Sequence, residues 1–340
     1  MKYLIKNKQV NNHYYGLDLL RGVSGYGVAI CHFYAFIYSN IFLEYLSFIF
    51  VEFFFVLSGF VLFPQLLQVL NKKKNLLIFY KRRWLRTLPL YFICLVAVSL
   101  MFNKFLTLDF FKYFFFIQDL IPNFIEVSYF PVVWSLSIEE FFYLFFPVFL
   151  LLINKKNFLR KIIYLFFSLI LIKIFISNFY DSNFLRTGTL LRFDAILLGF
   201  ILRYVYINFN LNQSIILSVF FLLIYIFLQD FILSNKNLLV VKIGFVFLLQ
   251  ILSSIILIFF LKIEFLFKIN FFKKFATLVA RQTYSVYLTH MILIYALINF
   301  DVEKISKLLL YLFLLIAIST ISYYFVEKPI LKTRPRYLSN

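Results

Sequence analysis

Residues 42–66 read FLEYLSFIFVEFFFVLSGFVLFPQL, and among these 25 residues only Glu44 and Glu52 carry charge. Coiled as a helix, a run of this length extends about 37 Å, enough to cross a hydrocarbon core of about 30 Å. In water such a stretch has to be covered on every side, whereas in lipid its backbone is satisfied by its own hydrogen bonds. Nine more apolar runs share this character, at 16–37, 88–103, 132–153, 161–177, 189–207, 213–231, 239–261, 282–299 and 306–326. An aromatic piece at 108–121 is short and bracketed by charge, so an interfacial or re-entrant placement is expected. The expected fold class is therefore all-α, a polytopic integral membrane helical bundle of about ten transmembrane helices.

Composition agrees. With 63% hydrophobic and only 14% charged residues over 340 positions, a soluble globular chain is excluded. The 51 Phe and 24 Tyr read mainly as lipid-facing filler, not as stacking platforms. Cys31 and Cys94 both fall within expected spans and supply no disulfide framework, zinc spacing or haem motif. No metal and no tightly bound cofactor is expected. The longest hydrophilic stretch is about fifteen residues, so one membrane-embedded domain over 1–340 is expected, with no appended soluble domain. The basic N-terminal segment shows no cleavage site, and no removable signal peptide is expected.

Lys and Arg set the orientation. With the N-terminus inside, 25 of them lie on the inner side, including Lys2, Lys6, Lys8 and the groups at 72–86, 155–161, 262–274 and 328–336. Eight lie outside: Lys104, Lys112, Arg186, Arg192, Lys236, Lys242, Lys304 and Lys307. Both termini are therefore expected in the cytoplasm. The same short basic loops, facing anionic lipid, account for the net charge of +19, and no nucleic-acid partner is implied.

Ionisable residues inside spans are costly and mark function by default. The first span holds Asp18, Arg21 and His32. Arg21 and His32 are eleven residues apart, three turns plus about 20°, so they share a face about 16 Å apart. Gly22, Gly25 and Gly27 let a neighbour approach that helix closely. The second span carries Glu52 and Ser58. Arg83 and Arg86, one turn apart at the next inner boundary, suit a forked grip on phosphate or carboxylate. The fourth span begins WSLSIEE, with Trp134, Ser137 and the adjacent acids Glu139 and Glu140. Such acids must be protonated, paired or facing water. Arg192 and Asp194 follow in the sixth span, and Ser285 and His290 in the ninth.

Taken in order, Arg21-x10-His32, EFFFVLSGF, Arg83-x-x-Arg86, WSLSIEEFFY, RFDAILLGF, YSVYLTH and VEKP extend over nearly the whole chain. Together they resemble the acyltransferase-3 family of integral membrane O-acyltransferases. Glu52 stands where that family usually has Asp, which keeps the carboxylate.

The resemblance implies transfer of an acyl group, most often acetyl, from a cytoplasmic acyl-CoA to a sugar hydroxyl across the bacterial inner membrane. It implies acetyl-CoA or another acyl-CoA as donor substrate, held by Arg21, Arg83 and Arg86, and His32 as base or acyl carrier. Glu139 or Glu140 is expected to orient His32, as a carboxylate does in triads. Arg192 with Asp194 is expected to be structural or acceptor-facing, and His290 to bridge helices. Acceptors in view are a surface carbohydrate such as lipopolysaccharide O-antigen, another cell-envelope polysaccharide, and a lipid-linked glycan. Direct transfer and an acyl-histidine intermediate both fit. Intramembrane acids, arginines and histidines also fit a transporter or flippase, and many spans fit a lipid-linked glycosyltransferase or a membrane assembly protein.

Overall fold

A computed structural model describes residues 13–125, 128–153, 157–208 and 215–338. Lys2, Lys6, Lys8, Lys155 and Lys156, and the expectation about a signal peptide, lie outside the described residues. The described chain is helical throughout, with no strand. In order, the helices are α1 (Tyr15–Tyr38), α2 (Ile41–Asn71), α3 (Asn75–Met101), α4 (Leu108–Phe114), α5 (Trp134–Leu152), α6 (Phe158–Ile176) and α7 (Ser182–Thr187). They continue as α8 (Phe193–Asn208), α9 (Ile215–Phe227), α10 (Gln229–Ser234), α11 (Leu239–Lys262), α12 (Asn270–Leu297), α13 (Lys304–Ser322) and α14 (Lys328–Lys332).

Ten of these match the ten expected runs in place. Among the described residues, five helical stretches are long and apolar enough to cross a membrane: those at Ile41–Asn71, Asn75–Met101, Pro131–Leu152, Leu239–Lys268 and Lys304–Lys332. The others fall short for physical reasons. α6 carries Arg160, Lys161 and Lys173, α1 and α12 carry polar and small residues along their faces, and α8 and α9 are short. Boundaries differ most for α3 and α12, which begin at Asn75 and Asn270, well before the apolar runs at 88 and 282. Hydropathy marks where side chains turn apolar, not where the backbone starts to coil, so Arg83 and Arg86 sit within a helix and not at a loop edge. The 108–121 segment gives one seven-residue helix, α4, followed by irregular chain, and Leu108 and Phe115 are exposed.

Ser39, at φ 52°, and Asn40, whose side chain accepts from the Leu43 N–H at 2.9 Å, turn α1 sharply into α2. α1 then packs between α2 and α12. Its contact with α12 is a parallel one. Gly22 lies against Val279, Gly25 against Thr283, and the Tyr26 hydroxyl donates to Gln282 at 2.8 Å. α2 crosses α8 still more closely. A Cβ on Gly59 would sit 1.8 Å from the Ile196 carbonyl oxygen, and one on Gly199 would sit 1.9 Å from that of Val56. Only glycine fits such backbone-to-backbone contact. The two ends of the described chain meet on one face, where His13 and Tyr14 line a pocket together with Tyr337 and Leu338.

Candidate active site

The parallel register of α1 and α12 carries straight on to a pair of histidines. Seven residues beyond Gly25 and Thr283, His32 Nδ1 lies 3.0 Å from His290 Nε2. His290 is fully buried, and its Nδ1 lies 2.7 Å from the Tyr287 carbonyl oxygen and 3.2 Å from that of Val286. A carbonyl only accepts, so His290 Nδ1 carries the proton and its Nε2 is an acceptor. His32 Nδ1 must then donate to it. This leaves the lone pair of His32 Nε2 facing outward from the pair, on the partly exposed member. A base with its second nitrogen held by an acceptor is the arrangement that fixes a catalytic imidazole's tautomer.

On the side of the chain termini, Arg21, Arg83 and Arg86 line one cavity of about 80 Å³ with Ser58, Glu139 and Tyr287. Arg83 is 6% exposed and packs its guanidinium between the rings of Phe79 and Tyr143, at 5.7 and 5.2 Å. Tyr287 closes the far end. Its hydroxyl donates to the Val132 carbonyl at 2.8 Å and contacts Ser135 at 2.6 Å, and its ring is 5.8 Å from that of His290. The cavity thus runs from three arginines to Tyr287, whose ring stands between its lining and His290. Arg21 also lines two pockets at the mouth, one with Lys273, Lys274 and Arg281, the other with Gln65, Arg203 and Tyr337. Asp18 does not pair with Arg21. It takes His13 at 2.8 Å, and that bond raises the His13 pKa above its usual value.

The expectation that Glu139 or Glu140 orients His32 is not what the geometry shows. Glu139 accepts from Ser58 and, at 2.8 Å, from Tyr143, while Glu140 accepts from Thr87 at 2.6 Å. Both are therefore engaged with hydroxyls of α2, α3 and α5, and His290 takes the place meant for an acid. Ser137 is a spacer, bonded to Gln118 and to the Val133 carbonyl. Trp134 packs edge-on against Phe55, 5.6 Å between centroids.

Glu52, Arg192 and Asp194 belong to a separate buried network. Arg192 Nη2 donates to both Glu52 oxygens at 2.6 Å, and Arg192 Nε lies 3.6 Å from Asp194. Lys173 and Gln250 complete it on the Asp194 carboxylate. Two acids and two bases, all nearly inaccessible, tie α2, α6, α8 and α11 together with no net charge. Arg192 Nη1 also donates to the Arg186 carbonyl at 3.1 Å, which fixes α7. Arg186 in turn lays its guanidinium on Phe48 at 4.2 Å and Trp134 at 5.1 Å, within Coulombic range of His32. Burial, with Arg192 nearby, lowers its pKa to about 10.

Lys173 and Arg186 were legible in the sequence only as a stray charge in a span and an outer-loop charge. A lone lysine within an apolar run is the signal that an acid waits on a neighbouring helix.

Relatives from Staphylococcus aureus align over nearly all of the chain. O-acetyltransferase OatA of Staphylococcus aureus (strain NCTC 8325 / PS 47) is 28% identical over 357 aligned positions, which cover 93% of this chain and 57% of the relative. SACOL0978 of Staphylococcus aureus (strain COL), provisionally named an O-acetyltransferase, is 26% identical over 371, covering 95% and 59%. The chain thus spans a little over half the length of the curated relatives it matches. No solved structure matches it significantly. The acyltransferase domain family, acyltransferase-3, matches residues 14–327, which include the histidine pair, the arginine-lined cavity and the buried ion network, and the chain belongs to that family.

Proposed function

We propose that the chain is a membrane O-acyltransferase that crosses the bacterial cytoplasmic membrane ten times with both termini inside. It takes an acyl group, acetyl by preference, from acyl-CoA at the inner face and delivers it to a sugar hydroxyl of an envelope glycan or its lipid-linked precursor at the outer side. The observation that carries the reading is the single cavity running from Arg21, Arg83 and Arg86 to Tyr287, one helical turn before His290. Arginines bind the phosphates of the donor, and the separation of about 16 Å along α1 between Arg21 and His32 suits an extended pantetheine arm.

In the step itself, His32 Nε2 removes the proton of the acceptor hydroxyl as the oxygen attacks the thioester carbonyl. The tetrahedral intermediate collapses with loss of the CoA thiolate, which takes that proton from the imidazolium. The products are the O-acyl ester and free CoA. Throughout, His290 holds His32 Nδ1–H and stabilises the transient positive charge. The alternative of a transporter or flippase gains nothing specific from this geometry, because a base with a fixed tautomer has no role in simple passage.

The test is CoA release from acetyl-CoA by purified, reconstituted protein supplied with envelope glycans, beside the acyl mass of those glycans in cells with and without the gene. Acceptor-dependent release, abolished in His32→Ala, is expected. Wild-type protein that leaves acetyl-CoA intact while moving a glycolipid across the bilayer would overturn the proposal.

A further inference from the structure

The family match ends at residue 327, yet the chain continues, and its Tyr337 and Leu338 line a pocket that shares Arg21 with the arginine-lined cavity. Residues 333–338 lie over the start of α3 in a defined position. Asn75 Nδ2 donates to the Leu338 carbonyl at 3.3 Å, and the Leu338 N–H returns a bond to Asn75 Oδ1 at 2.9 Å. Arg82 Nη1 donates to the Pro335 carbonyl at 2.8 Å, and its guanidinium stacks on Tyr337 at 4.9 Å. The carbonyl that Arg82 holds is next to Arg334, so Arg334 is delivered beside the α3 turns that carry Arg82, Arg83 and Arg86.

Internal partners satisfy this gathering only in part. Arg334 Nε and Nη2, Arg83 Nε and Arg82 Nε are buried without a hydrogen-bond partner. The nearby acids are taken by hydroxyls: Glu327 by Ser285, Glu140 by Thr87, and Glu139 by Ser58 and Tyr143. Among the described residues none of these arginines has an ion pair within 4 Å. Burial, together with the like charges of Arg86, Arg83 and Arg82, pulls the Arg334 pKa down to about 9. Like charges held together in a partly desolvated place are costly unless an anion joins them. Several forked donors converging from two chain segments fit an oxyanion of high charge density.

The geometry points to a phosphate site completed by the C-terminal tail, in which Arg334 joins Arg83 and Arg86 in holding a phosphate group of the CoA nucleotide. This rests on the donor reading above and adds the residue and the chain segment that close the site. The tail then acts as a strap whose grip depends on the nucleotide and not on the acyl group.

The experiment compares acetyl-CoA, 3′-dephospho-acetyl-CoA and acetyl-pantetheine as donors for purified wild-type, Arg334→Ala and Arg336→Ala proteins. Arg336 is exposed and two residues further along, so it loses the same charge outside the site. Arg334→Ala is expected to raise the KM for acetyl-CoA about tenfold to a hundredfold, the loss of one charge-assisted phosphate contact. Turnover of acetyl-pantetheine, which has no nucleotide, should be unchanged, and this also reports that the variant is folded. If the 3′-dephospho donor shows the same loss in Arg334→Ala, the pyrophosphate is the group held. If it shows none, the 3′-phosphate is. An unchanged KM for acetyl-CoA in Arg334→Ala, or an equal rise in Arg336→Ala, would overturn the inference. A wild-type protein inert toward all three donors would overturn the enzymatic reading instead.

Discussion

Replacing His290 tests the hydrogen-bond chain behind His32 more sharply than replacing His32 itself. Before proton transfer, the 3.0 Å bond from His32 Nδ1 to His290 Nε2 joins two neutral groups. A bond of that kind contributes about 1 kcal/mol net, while the same bond from an imidazolium contributes about 1.5–3 kcal/mol. The difference, about 0.5–2 kcal/mol, is stabilisation present only once His32 has taken the proton. It corresponds to about two- to thirtyfold in rate. Without an acceptor, His32 also spends part of its time with the proton on Nε2, where it cannot act as base, which adds a factor of a few. We therefore expect kcat to fall about ten- to a hundredfold in His290→Leu, which fills similar space but accepts nothing.

His290→Gln offers a carbonyl oxygen to His32 Nδ1–H and should stay within about tenfold of the wild type. The assay is steady-state CoA release from purified protein, with acetyl-CoA and acceptor varied separately. The donor KM should barely move in either variant, because His290 has no contact with the arginines. A wild-type kcat in His290→Leu would refute the reasoning. So would a loss confined to the donor KM, or a glutamine variant no better than leucine.

Three other expectations follow from single observations. Lys173→Met leaves Asp194 short of its closest cation in a buried site, and thermal unfolding in detergent should show a loss of about 3–5 kcal/mol, partly recovered in Lys173→Met/Asp194→Leu. A loss under about 0.5 kcal/mol would mean that the network does not stabilise the bundle. Asp119, in the irregular segment after α4, has its carboxyl raised to about 6 by burial, against a bond from Gln118 that lowers it. A raised folded-state pKa stabilises fully below the unfolded value near 4 and is lost as pH rises through 6, so the melting temperature should fall between about pH 4 and 6 and level off above. Asp119→Asn should remove that slope, worth up to about 3 kcal/mol. Finally, a reporter active only outside the cytoplasm should be active when inserted near Asn183 and silent after Asn340, and the reverse pattern would invert the assignment of donor and acceptor sides.

Helical arithmetic within one segment is reliable. Residues eleven apart share a face whatever surrounds them, so Arg21 and His32 were legible as one stripe of α1. The positions of the apolar runs were legible too, because a helix that faces lipid needs a long apolar stretch. Among the described residues, though, only five of the matching helical stretches are long and apolar enough to cross a membrane. Which helix lies opposite is another matter. His290 reaches His32 because Gly22 and Gly25 bring Val279 and Thr283 against α1 in register, a contact between residues more than 250 apart. No periodicity encodes it. Adjacent acids in an apolar helix drew attention to Glu139 and Glu140, yet nearby hydroxyls on α2, α3 and α5 satisfy them, an outcome open to any carboxylate beside Ser, Thr or Tyr.

Charge balance separates scaffold from site more clearly than motif strength does. The group around Glu52, Arg192, Asp194 and Lys173 is closed: each charge meets an opposite one within 4 Å, and the sum is zero. A network balanced in charge needs no ion from outside, and its work is to fix α7 and the close crossing of α2 with α8. The arginines at the other end are open. Arg83 rests on aromatic rings, Arg334 leaves buried donors unused, and the acids nearby bond to hydroxyls instead. Fold stability alone favours closing such a set with a carboxylate, as the chain does a few helices away. Leaving it open in the same bundle makes sense only where an anion from outside supplies the missing charge. The histidine pair lies beyond Tyr287, where the far end of a bound donor would arrive.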